Sequence, residues 1–247
     1  RGLGDVYKRQ ELNNMGSSSH LKRLAMPRSW PLPRKTTVWV TRPSPGGHSL
    51  ERCMPVNLIV RDVLGRAQSA REVRFIVHNE LIKVDGRVCK DTRRGVGLMD
   101  VLSLGDEHFR CMLDANGRLR YVKISAEEAS WKLVRVEGKT TLKGGKTQLN
   151  FHDGRNMLVD DPKEFNTGDS IKLSLPDQEV LDHIKFEDGV RCYLIGGTHV
   201  GETASMKERI VKRSSMPNEV AFDEFGTTEV NVFAVGDASI PAMEVKA

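Results

Sequence analysis

Arg71, Arg74 and His78 occupy positions i, i+3 and i+7 of the stretch "QSAREVRFIVHNELIKVDGRVCKD", residues 68–91. On a helix this spacing sets all three on one face, about a turn apart. Two guanidiniums and an imidazole so placed can donate to neighbouring oxyanions, and arginine does so with a rigid two-pronged fork. The stretch carries its own helix start. Ser69 followed by Glu72 is a capping box, in which each side chain satisfies an orphan backbone N–H. Ala70, Val73, Ile76 and Val77 supply the apolar stripe that would hold the helix down. After it "LIKV" alternates as a strand, Asp85-Gly86 suits a tight turn with positive φ, and Val88 begins the return. Upstream, Val56, Ile59, Val60 and Val63 repeat with helical period between Pro55, suited to a first turn, and Gly65, suited to an end. Two short helices on a small sheet, closing through "GVGLMDVLSL" near Leu113, are the expectation.

Other residue types with catalytic potential do not combine into a site. "KGGKTQ" invites a phosphate-binding loop, but that motif needs a glycine where Thr140 stands, and "QLNFHDG" after it reads as strand and turn, not helix. The seven histidines have no paired-ligand spacing. The four cysteines, Cys53, Cys89, Cys111 and Cys192, form no CxxC pair and read as reduced thiols. We therefore expect no enzyme, no metal, no cofactor and no small-molecule substrate. No apolar run approaches the roughly 20 residues of a membrane helix, so no membrane partner is expected.

Charge is concentrated near the start. Lys22, Arg23, Arg28, Arg34, Lys35 and Arg42 lie within residues 16–50 without one acidic residue, whereas the whole chain carries a formal net charge of +5. A basic segment of this kind points to a polyanionic partner. Pro27, Pro31, Pro33, Pro43 and Pro45, half of the chain's ten prolines, exclude a long helix or a central strand here. The segment is expected to be extended, with one helical turn around residues 20–25, and mobile without its partner. Trp30 and Trp39 should be covered, by the body of the protein or by nucleic acid. "RGLGDVYKRQ" has neither period nor cap, and Met15 is the expected native start.

With aromatics at 6% and apolar residues at 38% of 247, several thin-cored modules fit better than one large core. Beyond Leu113 the pattern turns to strands: "GRLRYVKI", "KLVRVEGKTTL", "KTQLNFHDGRNMLV" and "GDSIKLSL", with turns at Gly144-Gly145 and Asp153-Gly154. Ser125 and Glu128 open a helical turn in "SAEEA". "PDQEVLDHIKF" reads as a short helix or connector. Further on, Val190, Cys192 and Leu194 alternate into Gly196-Gly197, with Gly201 four residues later.

The two helices, the basic helix face and the Val-Asp-Gly-Arg hairpin resemble the small RNA-binding domain first recognised in bacterial small-subunit ribosomal protein four. That resemblance implies that Arg71, Arg74 and His78 face RNA phosphates, with Lys83, Arg87 and Lys90 nearby. The glycine loop between strands is similar to a KOW motif within an SH3-like barrel, although Ala204 stands where a third glycine is common. Some RNA-modifying synthases carry the same small domain, but Arg120 in "GRLR" occupies the place of their catalytic aspartate.

The order of modules, with "SSSHLKRLAMPRSWPLPRK", "VRDVLGRAQSAREVR", "VGLMDVLSL", "KGGKTQLNFHDGRN" and "SLPDQEVLDHIKFEDG", resembles the archaeal and eukaryotic small-subunit ribosomal protein family "S four e" over roughly residues 15–236. The lack of a eukaryote-style C-terminal extension leans archaeal. The resemblance implies an α+β, multi-module protein: a leader at 1–14, a basic proline-rich extension at 15–50, the RNA-binding domain at 51–113, a central β domain at 114–182, a KOW barrel at 183–236 and a tail at 237–247. It implies binding to small-subunit rRNA and neighbouring ribosomal proteins on the cytoplasmic ribosome. The alternative is a free RNA-binding regulator or chaperone built from the same modules.

Overall fold

A computed structural model describes residues 20–239 and 241. Met15 and the leader lie outside the described residues, as does most of the tail. The described chain is mainly β. A ribbon of β1 (His20–Lys22) and β2 (Trp39–Thr41) brackets a 3-10 turn at Arg23–Ala25. β3 (Cys53–Pro55) leads into helix α1, which is α-helical over Val56–Leu58 and π-helical over Ile59–Val63. Helix α2 spans Ala70–His78. The Ser69 hydroxyl accepts from the Glu72 N–H at 3.3 Å, but the Glu72 carboxylate reaches one residue further back than the motif requires, to the Gln68 N–H at 2.8 Å. Val73 and Val77 are buried and Ile76 is half-buried, as the stripe predicts.

β4 (Ile82–Val84) and β5 (Arg87–Val88) form the expected hairpin, with Asp85 and Gly86 at φ of 52° and 75°. β6 (Gly95–Gly97) pairs with β3. β7 (Val101–Leu104), β8 (Glu107–Leu113) and β9 (Leu119–Ile124) complete an antiparallel sheet in the order β5-β4-β7-β8-β9. The boundary expected after Leu113 therefore falls inside one sheet. The β8–β9 turn is local, and pairing continues up to Ile124 opposite His108.

β10 (Trp131–Thr141) pairs with β13 (Ser170–Ser174) along its first half and with β11 (Thr147–Phe151) along its second, and the β11 register shifts between Val136 and Gly138. β12 (Asn156–Val159) lies beyond β11, and β14 (Val180–Ile184) forms the opposite edge of this five-stranded sheet. The helix or connector expected in "PDQEVLDHIKF" is thus an edge strand. Its residues find backbone partners along β13 from Ser170 to Leu173, and tertiary pairing overrides the helix-start signal of Pro176-Asp177.

The last region has two three-stranded sheets. β15 (Arg191–Leu194) lies between β16 (Thr203–Ser205) and β20 (Val232–Ala234), while β18 (Glu219–Ala221) lies between β17 (Glu208–Ile210) and β19 (Gly226–Thr228). Phe186, Cys192, Leu194, Met206, Val220, Phe222 and Val232 share one core between them. Gly201, at φ +85°, lets the loop after β15 press on the end of β8. A Cβ there would lie 2.9 Å from the Asp114 carbonyl carbon. The Tyr193 hydroxyl fixes the same junction by bonding the Leu113 carbonyl at 2.8 Å and its N–H at 2.9 Å.

The N-terminal segment differs most from expectation. Met26, Trp30 and Val40 belong to the same core as α1, α2 and the first sheet. The Trp30 indole N–H donates to the Cys53 carbonyl at 2.8 Å, and the Leu119 N–H donates to the Ser29 carbonyl at 2.7 Å. Proline prevents a helix here, but it does not prevent an extended strap with one large apolar anchor from docking.

Candidate RNA-binding surface

The capping box and the Val73/Val77 stripe orient α2, leaving Arg71, Arg74 and His78 exposed on its outer side. Lys83, on the outward face of β4, and Arg87, on β5, are exposed too. None of these five side chains has an intramolecular ion pair or hydrogen bond among the described residues. Lys90 is exposed and approaches Glu80 only to 3.9 Å, a contact too open to the solvent to hold it. The five cations and the His78 imidazole implied for the helix and hairpin are therefore all accessible.

The basic segment divides. Arg28, Lys35 and Arg42 are exposed. Lys22 is exposed as well, its ammonium 4.1 Å from the centre of the Trp39 ring. Trp39 remains 52% exposed, so the expected cover over it is partial. Arg23 departs from its expected role. It is 7% exposed, with Nε donating to the Pro33 carbonyl at 2.6 Å and Nη1 to the Thr37 hydroxyl at 3.0 Å. Its guanidinium ties the strap together and does not present itself to a polyanion. Arg34 is half-buried and donates to the Leu24 carbonyl at 3.1 Å. Arg118, which no motif flagged, lines one groove with Arg28, Arg34 and Lys35. Arg94 lines a second with Arg87 and Lys90.

A buried cluster sets the hairpin against the central sheet. The Lys132 ammonium reaches Asp85 at 3.1 Å, Asp153 at 2.7 Å and Asp100. Arg155 adds bonds to Asp85 at 2.6 Å and Asp153 at 3.2 Å, and His48 lies 3.0 Å from Asp100. With His48 protonated, three cations balance three carboxylates. Backbone donors hold the remaining oxygens: Gly97 N–H to Asp100 at 2.8 Å, and Val101 N–H to Asp85 at 2.9 Å. Three carboxylates this close resemble a divalent cation site, but the Lys132 ammonium fills the space between them. Burial works against the Lys132 charge, yet Asp100, Asp85 and Asp153 raise its pKa further. Burial also opposes ionised Asp100 and Asp153, but Lys132 holds both below the ordinary carboxylate range. Burial outweighs Lys132 at Asp85 and raises that group.

Two histidines beside the cluster should shape the pH dependence of folding. Burial disfavours the His48 imidazolium, but Asp100 outweighs it and raises the pKa. Burial, then Lys132, pushes His152 down to about 3. His48 therefore stabilises fully below its unfolded value of about 6.5, and that stabilisation is lost as pH rises through the folded value. His152 stays neutral when folded while the unfolded chain takes up a proton below about 6.5, so stability falls with acid. Denaturant unfolding across pH should show a maximum near neutrality, and His48→Gln should flatten the alkaline limb alone.

Two family models match. The RS4NT (NUC023) domain matches residues 15–51, and ribosomal family S4e matches residues 105–180. The small ribosomal subunit protein eS4 of Methanothermobacter thermautotrophicus is 44% identical over 230 residues, covering 90% of this chain and 94% of that protein. The eS4 protein of Methanosphaera stadtmanae is 42% identical over 229 residues, with the same coverage. The chain belongs to the ribosomal S4e family. The crystal structure of the S4e protein from Thermoplasma acidophilum matches this fold with a TM-score of 0.67 at 33% identity, covering 76% of this chain and 96% of that one. Among the described residues, no helix of this S4e chain is long and apolar enough to cross a membrane.

Proposed function

We propose that this S4e chain is a structural constituent of the small ribosomal subunit that binds rRNA and supports translation without catalysing a reaction. The observation that carries this reading is the run of accessible cations without intramolecular partners from α2 to the hairpin, in a chain of this family. Arg71, Arg74, His78, Lys83, Arg87 and Lys90 would meet phosphates on one side. Lys22, Arg28, Lys35 and Arg42 would extend the contact along the strap, with Arg34 contributing only what its bond to Leu24 leaves free. Phosphate neutralisation needs accessible charge on a rigid support, and α2 and the hairpin supply both. The two small sheets after residue 183, which share one core, and the Gly196–Gly201 loop between β15 and β16 support a KOW-type SH3-like barrel as a further contact for RNA or neighbouring ribosomal proteins. The site of action is the ribosome, in the cytoplasm of an archaeal cell.

Arg71→Glu with Arg74→Glu should weaken binding to a small-subunit rRNA transcript about a hundredfold, roughly tenfold for each charged hydrogen bond. The slope of log K against log salt should become shallower by about 1.5–2. The thermal midpoint should barely move, because neither side chain enters the core. The parent protein should co-sediment with small subunits in a sucrose gradient. Normal rRNA binding by the double variant would make this face a solvated stripe.

A further inference from the structure

Phe75 stands on α2 with 67% of its surface in solvent. At about 100° per residue it lies about 40° around the helix from Arg71, about 60° from His78 and about 100° from Arg74, just beyond the Arg71 edge of the arc those three residues span. Val73 and Val77 face the core from the opposite side, so the ring lies outside the core. A lone exposed apolar side chain is ordinary on a protein surface. This one adjoins two guanidiniums and an imidazole that lack intramolecular partners among the described residues. An apolar protein surface reaching the ring would strip water from Arg71, Arg74 and His78 without replacing their hydrogen bonds. A single-stranded nucleic acid offers phosphates to the cations and a flat π face to the ring together.

We infer that Phe75 is a stacking platform for an unpaired nucleobase of the bound RNA, with Arg71, His78 and Arg74, all to one side of the ring around the helix, gripping the adjoining phosphates. This rests on the RNA-facing reading of α2 and adds a preference to it. The face selects a loop, bulge or single strand over a continuous duplex, whose bases are already stacked on one another.

The test uses the full chain, a small-subunit rRNA transcript and a fully paired RNA duplex. Phe75→Ala and Phe75→Leu should each lose about tenfold or more in affinity for the transcript, with the salt slope and the thermal midpoint unchanged. Phe75→Trp should retain the parent affinity, and binding to the duplex should be the same for all variants. If Phe75→Ala or Phe75→Leu binds the transcript like the parent while the Arg71/Arg74 reversal does not, stacking is refuted and the RNA-facing reading stands. If the reversal binds normally as well, that reading fails and the platform falls with it. If Phe75→Ala binds RNA normally but no longer enters small subunits, a protein neighbour holds the ring and the proposal is overturned.

Discussion

Lys132→Met is expected to lower the free energy of unfolding by about 3–5 kcal/mol, the usual cost of removing one partner from a buried ionic cluster. Methionine fills a similar volume, so the loss comes from charge and not from a cavity. Asp85, Asp100 and Asp153 would face one another with Arg155 and His48 as the only cations bonded to them among the described residues. Two of these carboxylates sit below the ordinary range because of Lys132, and without it burial would push them up. Denaturant titration at neutral pH would measure the loss. Adding Asp100→Asn to the variant should recover part of it by removing one uncompensated charge. A change within about 0.5 kcal/mol would place the cluster among ordinary surface contacts.

Trp30→Ala should cost a comparable amount, about 3–5 kcal/mol. Trp30 is 2% exposed, and its ring fills the space between the strap and the first sheet. Truncation would open a cavity and leave the Cys53 carbonyl without its donor. The strap would then be held by Met26 and Val40 in the core, the Leu119–Ser29 bond and the Asn57–Thr41 bond at 3.0 Å. Limited proteolysis should therefore cut residues 27–36 in the variant well before the parent, alongside a fall in the thermal midpoint. Trp39→Ala is the control. That ring is half exposed, and its loss should affect the midpoint little.

What the sequence disclosed was local. The Ser69–Glu72 cap, the α2 stripe and the Asp85-Gly86 turn each depend on residues within a few positions of one another, and each forms close to its expected place. The reciprocal Ser125–Glu128 cap forms too, with both backbone bonds at 3.2 Å. The accessible cations of α2 and the hairpin were legible for the same reason, since a helical period fixes which side chains leave the core. Arg23 was not legible. Nothing near it in the chain indicates that Pro33 and Thr37 will fold back to take its guanidinium. The Lys132 cluster was hidden for a stronger version of that reason. His48, Asp85, Asp100, Lys132 and the Asp153/Arg155 pair come from five separate stretches, each reading as ordinary polar surface or turn. Asp85 was visible only as a residue tolerant of positive φ. Its second property, a carboxylate aimed into the central sheet, depends on chain laid down nearly fifty residues later.

That cluster also bears on how the protein comes into being at a translating ribosome. The chain emerges from its N-terminus, so His48, Asp85 and Asp100 appear before Lys132, and Lys132 before Asp153 and Arg155. Until the central sheet is made, the hairpin tip and the β6–β7 turn carry carboxylates that water must solvate, so burying them early is unfavourable. The nascent first module can form its helices and most of its sheet, but it cannot seal its inner side. Closure waits for residue 155 to clear the exit tunnel. For that interval the strap end bearing His48 can hold to Asp100 alone, and the newborn protein lacks the Lys132 charge that later joins its parts.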